Sequence, residues 1–174
     1  KKRDFLIIEA SSFQLAHSKF IKPDYAMLLN ITNDHLDWHG NMKNYIDSKF
    51  RIFKHQKKNQ YSFVNAKWKR EFKKRNLLGK LVIPNIRIFQ KHKSNVKNSY
   101  LESEMNNENM SFVFELAMIL KISKNSFFKS LNSFKGLPHR YEIFLKRKNC
   151  LFINDSKATS FQATKLALKN SNNI

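Results

Sequence analysis

Glycine and proline are scarce here, three of each in 174 residues, so turn markers are few and element boundaries are only faintly signalled. One cysteine, Cys150, excludes an internal disulfide framework and any metal site built from several cysteines of this chain. It stands in the apolar run Cys150-Leu151-Phe152-Ile153, where a small buried core residue is the expectation, and it is in keeping with a cytoplasmic location. No apolar stretch approaches the ~20 residues that cross a bilayer, so no membrane partner is expected. The basic start, Lys1 to Arg3, leads only into Phe5 to Ile8 before Glu9 intervenes, too short for the core of a signal peptide. The first residue is Lys, and the last residues continue a helical pattern without a stop, so both ends read as cut from something longer.

Acidic residues are also few. Thirteen Asp and Glu face 33 Lys and Arg, for a formal net charge of +20. That balance alone argues for an anionic partner such as nucleic acid. Against it, the basic residues are spread along the whole chain. Their densest cluster, Lys67 to Arg75, alternates charge with Trp68 and Phe72 as one solvated helix face does. The charge makes a nucleic-acid-binding module the rival reading from another functional class, but no stacking-aromatic signature and no recognition-helix pattern support it. What the chain has in quantity is apolar material, 41% of residues with 16 Phe, enough for a packed core.

Short apolar runs at Phe5 to Ile8, Tyr25 to Ile31, Tyr61 to Val64 and Leu81 to Ile83 predict strands, with another over Ile86 to Phe89. Helical periodicity covers Met42 to Lys54, Lys67 to Arg75, Met110 to Leu120, Ser123 to Phe134 and Ala158 to Lys169. Lys91 to Asn109 reads as an exposed loop or weak edge strand. Glu142 to Leu145 and Leu151 to Ile153 form a two-stranded unit. The alternation predicts an α/β fold with a mostly parallel sheet flanked by helices. Gly136-Leu137-Pro138 interrupts the pattern and marks the expected domain boundary, dividing residues 1–136 from 137–174.

Three clusters could carry chemistry. In Glu9-Ala10-Ser11-Ser12-Phe13-Gln14, a carboxylate after an apolar run suits a hard cation such as Mg²⁺; the plainer alternative is a helix cap. Asn30 to Asp37 follows the run beginning at Tyr25, at the strand end where α/β sheets bind ligands. There His35 lies between Asp34 and Asp37, either of which could orient its ring. His17, His39, His55 and His92 read as structural. Lys49 reads from composition as a solvated helix lysine. In the third cluster, Arg140 beside Gly136-Leu137-Pro138 suits a phosphate clamp, and Asn154 to Thr159 gathers donors, acceptors and a cation ahead of a helix.

In this order the clusters resemble the Mur ligases, most closely the members that add D-glutamate. The segments that carry the resemblance are EASSFQL (9–15), NITNDHLD (30–37), YIDSKFRIF (45–53), LPHRYE (137–142) and NDSKAT (154–159). It runs from Asp4 to about Leu168, and the last segment is the most specific. The resemblance implies a central P-loop-type domain and the start of a Rossmann-like C-terminal domain. It implies an enzyme that uses ATP to activate a carboxylate as an acyl phosphate, joining D-glutamate to UDP-N-acetylmuramoyl-L-alanine in peptidoglycan synthesis. Glu9, His35 and Lys49 would serve two Mg²⁺ ions, with Lys49 carbamylated by CO₂ and, like His35, counted as catalytic. Arg140 and Asp155 would contact ATP, and Ser11, Lys157 and Thr159 the substrates. The full-length protein would be a cytoplasmic monomer. Rivals inside the enzyme class are another Mur ligase or a folylpolyglutamate synthetase relative.

One departure is plain: the chain contains no Gly-x-x-Gly-Lys-Thr/Ser loop, which the family carries a few tens of residues before the position of Glu9. Asn33 also stands where an acidic residue is more usual. The 174-residue chain by itself is therefore expected to lack ligase activity, and D-glutamate-dependent ATP hydrolysis by the purified chain would contradict this.

Overall fold

The computed structural model describes residues 4–101, 104–148, 150–159, 161, 164, 165 and 168. Its contacts divide the chain into two compact units, residues 1–84 and 85–174. Each is described by itself.

The first unit is a small parallel α/β layer. Strands β1 (Tyr25–Leu28), β2 (Tyr61–Val64) and β3 (Lys80–Val82) lie in that order, all parallel, with Tyr25 opposite Tyr61 and Tyr61 opposite Lys80. Helices α1 (Ser12–His17), α2 (Leu36–His39), α3 (Met42–Phe50) and α4 (Lys69–Lys74) complete it. Helix α3 starts at Asn41, whose side chain accepts a hydrogen bond from the Asn44 N–H, satisfying one of the free donors of the first turn. Tyr45 and Phe50 of α3, with Phe53 just beyond it, pack against Ala26, Leu28, Ile31 and Val64. Phe53 and Val64 are completely buried. This seam holds α3 beside the carboxyl end of β1.

A buried polar knot ties the sheet to the chain beneath it. Gln56 is 1% exposed. Its amide donates to the carbonyls of Pro23 and Tyr61 at 3.0 and 2.9 Å, and its oxygen accepts from the Ser62 hydroxyl. The side chain is thus fully paired, as a buried amide must be. Gly79 leaves the room for it, since a Cβ there would overlap Ser62 Oγ and sit 2.9 Å from Gln56 Oε1.

The second unit holds α5 (Ile86–Gln90), α6 (Glu104–Ile119) and α7 (Lys124–Ser133), followed by the antiparallel pair β4 (Glu142–Arg147) and β5 (Cys150–Asn154). Phe89, Phe114, Phe127 and Phe128 dominate its core. Ser123 caps α7 as its sequence predicts, accepting from the Ser126 N–H.

Four expectations are corrected. Phe5 to Ile8 forms no strand and lies 62–93% exposed, because among the described residues β1 is paired only with β2 and no ladder reaches this run. Ile86 to Phe89 is helical: Asn85 caps it by accepting from the Arg87 N–H, and only Phe89 is buried, an arrangement that a short apolar run cannot distinguish from a strand. Lys91 to Asn109 holds 3₁₀ turns at Lys93–Asn95 and Ser99–Leu101 and the start of α6, with Val96 and Leu101 in the core. Cys150 is exposed on β5 rather than buried. Of the helix expected over Ala158 to Lys169, half the positions lie outside the described residues; Ala158 and Thr159 are not helical, whereas residues 161, 164, 165 and 168 are.

Gly79→Ala is expected to lower stability by about 1–3 kcal/mol, the usual cost of forcing an atom into a filled interior. Urea denaturation reads the effect, and an unchanged midpoint would refute the packing described around Gln56.

Candidate active site

The residues after β1 turn sharply toward α1. His35 adopts a left-handed backbone conformation (φ 56°), which a non-glycine residue adopts only when something local holds it. Here the Asp34 carboxylate accepts from the His35 N–H at 2.9 Å and lies 3.5 Å from its ring Nδ1. The ring packs on Phe13 at 5.0 Å and edge-on to Tyr45 at 6.1 Å. Asp34 is thus the carboxylate that orients His35; Asp37 has moved into α2.

Helix α1 supplies the opposite wall. Ser11 is its cap: the hydroxyl accepts from the Gln14 N–H at 3.2 Å, and the Gln14 side chain accepts from the Ser11 N–H at 2.8 Å. Such a capping box secures the entry to a short helix. It also brings Glu9 and the two serines to the edge of an open cleft of about 340 Å³. Glu9, Ser11, Ser12, Gln14, His35, Tyr45 and Lys49 line it. The structure therefore brings together the carboxylate, imidazole and amine that the sequence singles out in its first two clusters.

Lys49 sits in the last turn of α3. Its ammonium lies over the Tyr45 ring at 5.1 Å from the centroid and approaches the Asn30 carbonyl at 3.5 Å. Burial pushes its pKa below the usual lysine value, and the Asp34 carboxylate opposes that shift. The same causes, burial first and then Asp34, push the Tyr45 hydroxyl up. Because the fold favours the neutral amine, the charged Lys49 costs stability below its folded pKa. That cost fades as pH rises through the folded value toward the unfolded one.

The cleft suits a hard cation. It offers a carboxylate, two hydroxyls, a carboxamide oxygen and an imidazole. Among the described residues no three His, Cys, Asp or Glu side chains form a ready cage. A Mg²⁺ ion would therefore keep water or take phosphate oxygens for its remaining ligands, as Mg²⁺ commonly does.

The third cluster lies in the second unit and is also drawn together. His139 (φ 64°) and Tyr141 (φ 47°) flank Arg140 in a tight turn. The Asp155 carboxylate accepts from the Tyr141 N–H at 2.9 Å, and the Lys157 N–H donates to the His139 carbonyl at 3.1 Å. Asn154 and His139 meet side chain to side chain at 2.9 Å. Arg140, Lys157 and Thr159 are exposed.

The model of the Mur ligase middle domain matches residues 1–127. The chain belongs to the Mur ligase family. Among curated proteins it is similar to the UDP-N-acetylmuramoylalanine–D-glutamate ligase of Elusimicrobium minutum, 34% identical over 97% of this chain and 41% of that protein. The protein of the same name from Natranaerobius thermophilus is 32% identical over 95% of this chain and 40% of its own length. That from Christiangramia forsetii is 35% identical over 95% and 42%. This Mur ligase chain thus spans about two fifths of the length of the curated relatives it matches. No described helix is long and apolar enough to cross a membrane.

Sequence reasoning reads Tyr45 only as part of an apolar helix face, yet in this Mur ligase chain Tyr45 also lines the cleft, which no local spacing signals. His39, read as structural, is buried behind it.

Lys49 is expected to acylate at lower pH than the exposed lysines, since its neutral amine is favoured. Mass-spectrometric labelling across a pH series measures this; a midpoint shared with the surface lysines would contradict it.

Proposed function

We propose that this chain is the metal- and phosphate-handling part of a ligase that uses ATP to join D-glutamate to UDP-N-acetylmuramoyl-L-alanine. The observation that carries the proposal is the convergence of Glu9, His35 and Lys49 on one cleft. The names of the curated relatives supply the substrate class.

In this reading Glu9 and His35 would hold Mg²⁺, with Asp34, 3.5 Å from the ring Nδ1, helping to orient the imidazole. Lys49 would act as its carbamate. Only the neutral amine adds to CO₂, and burial favours that form. The added CO₂ replaces a cation that repels metal with an anion that attracts it. Bound Mg²⁺ would supply neutralisation of the charge on the transferring phosphoryl group. Ser11 contributes a hydroxyl at the same edge for substrate. In the second unit, Arg140 and Asp155 would meet the nucleotide, and Lys157 and Thr159 the incoming D-glutamate, whose carboxylates suit an exposed cation and hydroxyl.

The same reading takes residues 1–136 as the central ATPase-type region and 137–174 as the beginning of the amino-acid-binding region. It places the reaction in the cytoplasm and expects a monomer.

At the full length of its relatives, the protein is expected to release phosphate only when ATP, UDP-N-acetylmuramoyl-L-alanine and D-glutamate are all present. Lys49→Ala should lower the rate roughly a hundredfold or more, as loss of a preorganised charge at a phosphoryl-transfer site does. Turnover with another amino acid in preference to D-glutamate, or an undiminished Lys49→Ala variant, would overturn the assignment.

A further inference from the structure

Behind the cleft lies a histidine that the proposed reaction does not use. His39 is 6% exposed and ends the short helix α2. Its Nε2 lies 3.0 Å from Ser12 Oγ on α1, and its Nδ1 lies 3.4 Å from Ser48 Oγ on α3. Phe13 stacks on the ring at 5.6 Å, and Trp38 and Tyr45 close around it at 4.5 and 5.1 Å. Ser12 is part of the cleft wall, and Ser48 immediately precedes Lys49.

The proton positions follow from the inventory of donors. Ser48 has one hydroxyl proton and donates it to the Asn44 carbonyl at 2.8 Å, so toward His39 its oxygen can only accept. A bare Nδ1 would set two lone pairs against each other in a buried gap, so Nδ1 carries the hydrogen. His39 is 6% exposed and its two ring nitrogens lie against serine hydroxyls rather than a carboxylate, so burial disfavours an imidazolium here. The ring is therefore neutral and Nε2 is an acceptor. Ser12 must then donate its own proton to Nε2, which leaves its oxygen with lone pairs alone for anything entering the cleft.

We propose that His39 is a positioning residue: in its neutral Nδ1–H form it ties α1 to α3 and holds the Ser12 hydroxyl as an acceptor in the cleft wall. An oxygen held this way suits a cation or an N–H or O–H group and disfavours direct contact with a phosphate oxygen. It also sets the serine edge of the cleft against the helix that carries Lys49. The functional half of the proposal rests on reading the cleft as the ligase site; the tautomer does not.

Long-range ¹H–¹⁵N spectra of the imidazoles in this chain read the tautomer, with His39→Gln identifying the His39 signal. A neutral Nδ1–H ring at neutral pH is expected, and an Nε2–H ring or an imidazolium would overturn the proposal. At the full length of the relatives, His39→Phe keeps the ring stack but removes both hydrogen bonds. It should lower kcat/KM about tenfold, the scale of one lost hydrogen bond. His39→Gln, whose amide oxygen can accept from Ser12, should recover part of that loss. Ser12→Ala should cost as much as His39→Phe, and the double variant no more than either. Additive losses would overturn the proposal. If His39→Phe fails to fold, His39→Asn, which keeps only the donor to Ser48, takes its place in the cycle. If the unmutated full-length protein shows no D-glutamate-dependent phosphate release, the assigned function fails while the spectra still decide the tautomer.

Discussion

Everything the cleft can do depends on the packing of α3 against the carboxyl end of β1. Tyr45, Phe50 and Phe53 bury their rings against Ala26, Leu28, Ile31 and Val64, and that seam sets where Lys49 emerges. Burying one such ring is worth roughly 1.5–3 kcal/mol, far more than any single polar contact in the cleft. Polar geometry here is therefore inherited from apolar packing. His35, held left-handed by Asp34, and the capping box at Ser11 then bring the two remaining walls to the same place.

The electrostatics of the site run against those of the chain as a whole. A net charge of +20 surrounds a cleft that the proposed function would have hold a metal cation beside a neutral lysine. Exposed charges more than about 10 Å apart are largely screened by ordinary salt, so the local groups decide. Burial discourages the Lys49 ammonium, while Asp34 restores part of its charge and orients the neighbouring imidazole. One carboxylate thus serves both the histidine and the lysine. The Tyr45 ring, half of whose role is to fill the core, supplies the apolar wall that makes the lysine's burial possible.

The second unit works by different means. Its turn around Arg140 is held by backbone hydrogen bonds to Asp155 and from Lys157, so two segments fifteen residues apart become one surface. Both faces of β4 and β5 remain largely exposed, with Phe144 and Phe152 at 62% and 44%. Such apolar exposure is unusual for a finished domain face.

Much was legible in the sequence because the signals were local. The runs at Tyr25 and Tyr61, the periodicity of Met42 to Lys54, and the serine cap of α7 each report on neighbours a few residues away; each element formed, although β1 stops at Leu28 and α3 gives way at Phe50 to a 3₁₀ turn over Arg51–Phe53. The sequence also singled out Glu9, His35 and Lys49, through the types and order of the segments that hold them, and the fold brings the three to one cleft. Phe5 to Ile8 and Ile86 to Phe89 were misread because an apolar run states a need for burial without saying what will supply it. The partners of the structural His39 were not legible for a related reason: the two serines lie 27 and 9 residues away, and only the approach of α1 to α3 brings them together. The sequence by itself determined which groups this protein has for its chemistry. Tertiary structure alone decided which of them are desolvated and which donate or accept, because those properties depend on neighbours distant along the chain.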